Sequence, residues 1–111
     1  MKKDLIIKLN KKSILGKSVY ANRAFKKGEI VIKYNLKSLS KKEFENLPEK
    51  EKKFVHFHSG TLNLYSVPER YVNNSLNPNT IQDIKQRCDI ALRGIKKGEE
   101  ITTDSTKDDI S

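Results

Sequence analysis

A mainly β fold with a short helical insert is what this sequence predicts, and three observations carry that expectation. Short apolar runs separated by glycine and polar turns fill both ends of the chain. A helix-start signature stands in the middle, at Ser40. An eleven-residue stretch near the N-terminus recurs, recognisably, 70 residues later.

Taken in order, Leu5-Ile6-Ile7, Val19-Tyr20-Ala21 and Ile30-Val31-Ile32 read as strands, being β-rich runs bounded by turn residues. Ser40-Lys41-Lys42-Glu43 fits a capping box, in which the serine hydroxyl and the glutamate carboxylate each satisfy a free backbone N–H at the helix start. Phe44 and Leu47 follow at helical spacing. Pro48 suits the first turn of a second helical stretch, with Glu49 and Glu51 near its positive end and Phe54 and Phe57 on one face. The expected helical insert therefore covers about 40–58. Beyond it, Ile90-Ala91-Leu92 reads again as a strand.

The repeat aligns Ala21-Asn22-Arg23-Ala24-Phe25-Lys26-Lys27-Gly28-Glu29-Ile30-Val31 with Ala91-Leu92-Arg93-Gly94-Ile95-Lys96-Lys97-Gly98-Glu99-Glu100-Ile101. Each copy is a strand, an apolar anchor, a Lys-Lys-Gly turn whose glycine can take positive φ, and a second strand. Two copies do not make a solenoid. They predict a β fold with related halves, each copy forming a hairpin-like connection.

With 111 residues and 35% hydrophobic content, the chain matches one domain with a modest core. No apolar run approaches the roughly 18 residues that cross a bilayer, and charge returns too soon after Met1 for a signal peptide. A soluble intracellular protein is expected, cytoplasmic, with a nuclear or chromatin-associated location left open. One cysteine, Cys88, excludes an internal disulfide and, with only His56 and His58 beside it, a Cys-rich zinc site; it reads as a small buried hydrophobe. On a helix, His56 and His58 would point to different sides and make poor joint ligands, so no metal is expected.

The net charge of +9 is unevenly placed: residues 1–53 sum to +10 and residues 54–111 to −1. A basic half can attract nucleic acid, yet dispersed lysines also keep small proteins soluble, and aromatics for base stacking are sparse here.

The longer motifs resemble a family. Gly16-Lys17-Ser18-Val19-Tyr20-Ala21 and then Phe25-Lys26-Lys27-Gly28-Glu29-Ile30-Val31 are similar to the opening of a SET domain, commonly G-x-G-[VYF]-[FY]-A followed by an apolar-K-K-G-E-x-[IV] segment. Arg70-Tyr71-Val72-Asn73-Asn74-Ser75-Leu76-Asn77-Pro78-Asn79 resembles R-[FY]-[IV]-N-H-S-C-x-P-N. Ala91-Leu92-Arg93-Gly94-Ile95-Lys96-Lys97-Gly98-Glu99-Glu100-Ile101-Thr102-Thr103-Asp104 resembles A-x-R-x-I-x-x-G-E-E-[IL]-T-x-D. The resemblance runs from about Leu5 to Ser105, so a short acidic tail at 106–111 and no separate targeting module are expected.

The resemblance implies a β-clip of several small sheets, with the C-terminal segment threaded past the Asn-rich one. It implies methyl transfer from S-adenosylmethionine to a protein lysine, the cofactor lying on one face and the lysine entering a narrow channel from the other. The cofactor would be held by Gly16, Lys17, Ser18, Arg70, Asn73 and Asn74. Asn74 stands where the family has histidine, and Ser18 where it has glycine. Tyr34 falls where the family often lines the lysine channel with a phenol, and Tyr65 is a second candidate. Tyr71 is expected to pack inside the strand leading to Asn73. The largest departure is Ser105, which occupies the position of the family's C-terminal tyrosine.

Three functions follow in order: a methyltransferase with its substrate approaching the acidic side near Glu99, Glu100, Asp104, Asp108 and Asp109; a catalytically inactive SET-fold module, supported by Ser105; and a basic nucleic-acid-associated protein. A homodimer that completes the channel is a further expectation.

Overall fold

The computed structural model describes residues 3–58 and 60–104. Ser105 and the acidic tail lie outside the described residues. Among the described residues, four small sheets account for the strands.

β1 (Leu5–Leu9) and β2 (Lys17–Ala21) form an antiparallel pair. β3 (Ile30–Lys33) lies against β9 (Cys88–Ala91), which also pairs with β8 (Thr80–Asp83). β4 (Lys37–Leu39), β6 (Thr61–Leu64) and β5 (Val55–His58) form a third sheet in that order. The fourth is a two-residue parallel pair of β7 (Asn73–Asn74) with β10 (Thr102–Thr103).

The core is built from both copies of the repeat: Val19, Ala21, Phe25, Val31 and Ile32 from the first half pack with Ala91, Ile95 and Ile101 from the second. Phe25 and Ile95 exchange both backbone hydrogen bonds, at 2.8 and 2.9 Å. Gly28 N–H donates to Ala91 O at 2.8 Å, and Gly98 N–H to Ala21 O at 2.7 Å. Ala21 N–H reaches Glu99 O as Ala91 N–H reaches Glu29 O. The side chains follow suit, Arg23 pairing with Glu29 and Arg93 with Glu99, both within 2.9 Å. The expected pair of local hairpins is therefore replaced by exchange: the strands flanking one turn pair with those of the other copy, β3 with β9 and Tyr20 with Glu100. The reason is burial. Crossing puts both anchors, each 2% exposed, in one core.

The insert is shorter than the sequence predicts. α1 (Lys41–Glu45) carries the full capping box, with Ser40 Oγ accepting from Glu43 N and Glu43 Oε1 accepting from Ser40 N. Pro48 stands at the start of α2 (Glu49–Lys52), which then stops. Residues Val55–His58, expected as helix, are β5, because alternating β-formers there find a partner in β6. Phe54 is buried while Phe57 is half exposed, so they share no helical face. The helical geometry that separated His56 from His58 also falls away, since both lie on β5. Among the described residues no group of three His, Cys, Asp or Glu could hold a metal ion. No described helix is long and apolar enough to cross a membrane.

Tyr71 packs on the core as expected, but from a 3-10 turn, Glu69–Tyr71, rather than a strand. Cys88 is buried, and burial, with Asp83 and Asp89 nearby, raises its thiol pKa, which suits a packing residue and not a nucleophile.

Segment 100–103 is clasped on two sides. β7 runs beside it, with Ser75 N–H donating to Thr103 O at 2.9 Å. On the other side the buried Asn79 side chain donates to Glu100 O at 2.7 Å and accepts from Thr102 N at 2.9 Å. This passage of the C-terminal segment between both ends of the Asn-rich loop places Glu100, Thr102 and Thr103 beside Asn73 and Asn74.

Candidate functional site

The residues brought together by that clasp line a cavity of about 570 Å³, within the size range of small-molecule sites. One wall is the loop between β1 and β2. Asn10 organises it: its N–H donates to Gly16 O, its carbonyl accepts from Ser13 N, and its Nδ2 donates to Ser18 Oγ at 2.8 Å. Gly16 closes the loop at φ +80°, a conformation that costs glycine little and other residues more. Ser13, Ile14 and Leu15 are thereby presented to the cavity.

Asn73 pins this wall to the clasp. Its Nδ2 donates to Ser18 Oγ at 2.7 Å and to Glu100 Oε2 at 2.8 Å, and its Oδ1 accepts from Ser13 Oγ at 2.6 Å. Of the six residues expected at a cofactor site, Arg70, Asn73 and Asn74 line the cavity. Gly16, Lys17 and Ser18 stand behind it; Ser18 is fully buried and acts on the wall through Asn10 and Asn73.

Arg70 is largely committed elsewhere. Both terminal nitrogens donate to the Glu51 carboxylate at 3.1 Å, Nε donates to Tyr65 O at 2.9 Å, and the guanidinium lies 4.4 Å from the Phe54 ring centre. It fastens α2 to the 3-10 turn and so fixes one rim of the cavity.

The two candidate phenols separate. Tyr65 lines the cavity, buried, with the His56 ring 4.3 Å away and the Tyr34 ring 5.5 Å away. Tyr34 stands behind it against a separate small cavity and donates its hydroxyl to the buried Asp89. Burial above all, with Asp89 next, pushes the Tyr34 phenol far above its ordinary pKa, so it remains a hydrogen-bond donor and takes no part as a phenolate.

Of the acidic residues expected to steer a substrate, Glu100 and Glu99 differ. Glu100 lines the cavity, whereas Glu99 is occupied by Arg93 and Asn79. Lys12 and Lys53 also reach the rim, so its charge is mixed. Asp108 and Asp109 lie outside the described residues.

Sequence reasoning missed several cavity residues, among them Asn10, Ser13 and three with unpaired polar atoms. Among the described residues, three buried side-chain atoms have no hydrogen-bond partner: Glu69 Oε1, Gln82 Oε1 and Thr103 Oγ1. All three residues line this one cavity. Buried polar atoms are rarely left unpaired, so three in the residues of one cavity set it apart. Thr103 sits in the G-E-E-I-T-T-D motif and could have been flagged from it; Glu69 and Gln82 carry no sequence signal that separates them from surface residues.

No curated protein matches the sequence. Solved structures do match its shape. A candidate histone methyltransferase of Plasmodium falciparum superposes with a TM-score of 0.68 at 20% identity, over 94% of both chains. A Chaetomium thermophilum Polycomb Repressive Complex 2, bound to S-adenosylmethionine in an autoinhibited conformation, gives a TM-score of 0.73 at 18% identity over 100% of this chain. This chain spans only 16% of the length of that one. The profile of the SET domain family matches residues 16–104, the stretch that builds both exchanged repeats, the clasp and every wall of the cavity except the Asn10–Leu15 loop edge. By that match and by its fold, the chain belongs to the SET domain family.

Proposed function

We propose that the protein is an S-adenosylmethionine-dependent protein-lysine N-methyltransferase. The observation that supports this reading most is the cavity itself: the segments bearing the SET motifs frame it, and its three unpartnered polar atoms belong to a ligand-binding interior. The residues present fit the cofactor. A loop edge at Ser13–Leu15, an Asn-rich strand and a carboxylate offer donors and acceptors to a zwitterionic amino acid joined to a nucleoside.

When bound, S-adenosylmethionine supplies an electrophilic methyl group on a sulfonium. The protein's part is orientation and exclusion of water. Asn73 holds the Ser13 loop against Glu100, and Asn74 faces the cavity from the same strand. Tyr65, His56 and Phe54 supply an aromatic wall along which an alkyl amine can lie. The attacking amine must be neutral, and an ordinary lysine has a pKa near 10.4, so desolvation beside these rings favours the form that reacts. Positioning of this kind converts a bimolecular encounter into a local one and contributes the largest entropic share of such a rate gain.

Ser105 favours a second reading, a SET-fold module that binds cofactor or a partner without turnover, because a serine hydroxyl cannot reach where the family tyrosine does. A homodimer supplying the missing group is part of the first reading.

Calorimetric titration with S-adenosylmethionine and with its demethylated product tests the cofactor site. Micromolar binding, weakened at least about tenfold by Asn73→Ala, supports the proposal. Absence of binding by the folded wild-type protein overturns it.

A further inference from the structure

We propose that Glu69, with Gln82, forms a binding site for a primary ammonium group inside the cavity, a recognition element in addition to the SET motifs. The proposal deepens the methyltransferase reading and rests on it for the identity of the ammonium, though not for the existence of the site.

Glu69 is a glutamate only 4% exposed. One of its oxygens is accounted for: Oε2 accepts from the backbone N–H of Asn35 at 2.7 Å and of Ser66 at 3.3 Å. Those bonds fix the carboxylate between the end of β3 and the approach to the 3-10 turn. The other oxygen, Oε1, is buried and has no partner among the described residues. Leaving a carboxylate oxygen dry and unpaired is costly, more so than for a neutral group. Arg70, the adjacent residue and the obvious cation, is turned away onto Glu51.

Gln82 approaches the same region from β8. It is the cross-strand partner of Asp89, and its side chain lies against the Tyr34 hydroxyl, while Glu69 holds the residue that follows Tyr34. Its unpaired atom is the carbonyl oxygen. An ionised carboxylate and an amide carbonyl can only accept hydrogen bonds. What completes them must therefore bring N–H or O–H donors, and beside a carboxylate a positive charge is favoured over a neutral donor. Thr103 Oγ1, also unpaired and in a residue that lines the same cavity, can accept as well. A primary ammonium offers three diverging N–H groups on a compact head, which suits three separate oxygens better than the flat fork of a guanidinium. Tyr65, His56 and Phe54 line the cavity alongside and can cover an alkyl chain. Two sources carry this chemistry under the proposed function: the α-ammonium of the cofactor and the side chain of the target lysine.

The test is calorimetry on the full chain with two matched pairs of probes. The first pair is S-adenosylhomocysteine and its deaminated analogue. The second is N-acetyl-lysine methylamide and the corresponding norleucine compound, titrated with and without S-adenosylhomocysteine. In Glu69→Gln the amide oxygen can still accept from Asn35 and Ser66, while the oxygen facing no partner becomes an NH2. The expected result is that one pair shows the amine bound at least about tenfold tighter than its neutral counterpart, and that Glu69→Gln removes the difference, as for loss of one charge-assisted hydrogen bond. Discrimination within the first pair assigns the ammonium to the cofactor; within the second, to the lysine. Lysine discrimination through Glu69 with no nucleoside binding at all sustains this site and defeats the methyltransferase reading. No preference for the amine in either pair, or a preference that survives Glu69→Gln, overturns the proposal. Should Glu69→Gln lose its fold, Gln82→Met carries the decision: a fall of about threefold or more in the preferred amine's affinity supports the site, and an unchanged affinity overturns it.

Discussion

Arg70 and Glu51 form a two-pronged ion pair, both bonds 3.1 Å long, between the 3-10 turn that opens the Asn-rich segment and the helix α2 of the insert. The Arg70 side chain is 12% exposed and that of Glu51 29%, so the pair sits at a rim, not in a dry interior. Replacing Arg70 with Met is expected to cost about 1–3 kcal/mol, through the lost bond to Tyr65 O and the lost stack on Phe54 more than through the charge pair. Glu51→Ala should cost about 1–2 kcal/mol, because the Arg70 guanidinium it leaves keeps its bond to Tyr65 O but, largely covered, rehydrates only in part. Urea unfolding of the two variants and their combination measures both.

The same pair gives the stability a pH signature. Hydrogen bonding to Arg70 holds the Glu51 carboxyl below its usual pKa in the folded chain. A depressed carboxylate adds stability that is complete above the ordinary carboxylate range and is lost as the pH falls through the folded value. Glu29 and Glu99, each lowered by a bond from an arginine or a turn N–H, act in the same direction. Stability is therefore expected to be level near neutrality and to fall below about pH 4, the fall being shallower in Glu51→Gln; urea midpoints from pH 3 to pH 7 show it.

Gly28 and Gly98 have φ of +89° and +92°, and a Cβ at either would meet nothing within 4 Å. Alanine there costs only the strain of the left-handed backbone, about 1–2 kcal/mol. Because the two turns are equivalent, Gly28→Ala and Gly98→Ala should be equally destabilising within experimental error. Unequal denaturation midpoints would show that the equivalence of the two copies stops at the backbone.

Ser105→Tyr places a phenol at the position of the C-terminal tyrosine in the motif that the sequence resembles. If the first functional reading holds, methyl incorporation into a lysine substrate rises by roughly 10²–10⁴, the span usual for one proton-handling or positioning group. Unchanged turnover in a variant that still binds cofactor favours the binding module.

What the sequence disclosed divides along the range of the interactions involved. The capping box at Ser40 was legible because every atom in it lies within four residues. The strands at Leu5, Val19, Ile30 and Ile90 were legible from local apolar runs, and the family motifs located Asn73 and Asn74 at the cavity. Val55–His58 was misread as helix because β5 owes its form to β6, and nothing within the run names that partner. The exchange between repeats was invisible for the same reason: Phe25 and Ile95 each fit a local hairpin until the core they share is considered. The motif brings Arg70 to the cavity, while which way its guanidinium turns depends on Glu51, nineteen positions away. Glu69 looked like any surface glutamate, and only the folded chain shows that it is buried with one oxygen unpaired.

The exchanged turns have a consequence for assembly. Six backbone bonds between the copies fall into three pairs with the roles reversed, the kind of reciprocity found in an isologous contact between identical subunits. Residues 21–31 and 91–101 thus behave as two protomers tethered by a long connection. The first copy of one molecule presents the same donors and acceptors to the second copy of another as to its own. At high concentration the protein is accordingly open to domain swapping, in which two chains trade halves and reproduce every bond of the monomer. The cavity, assembled from both halves, would then be shared between molecules.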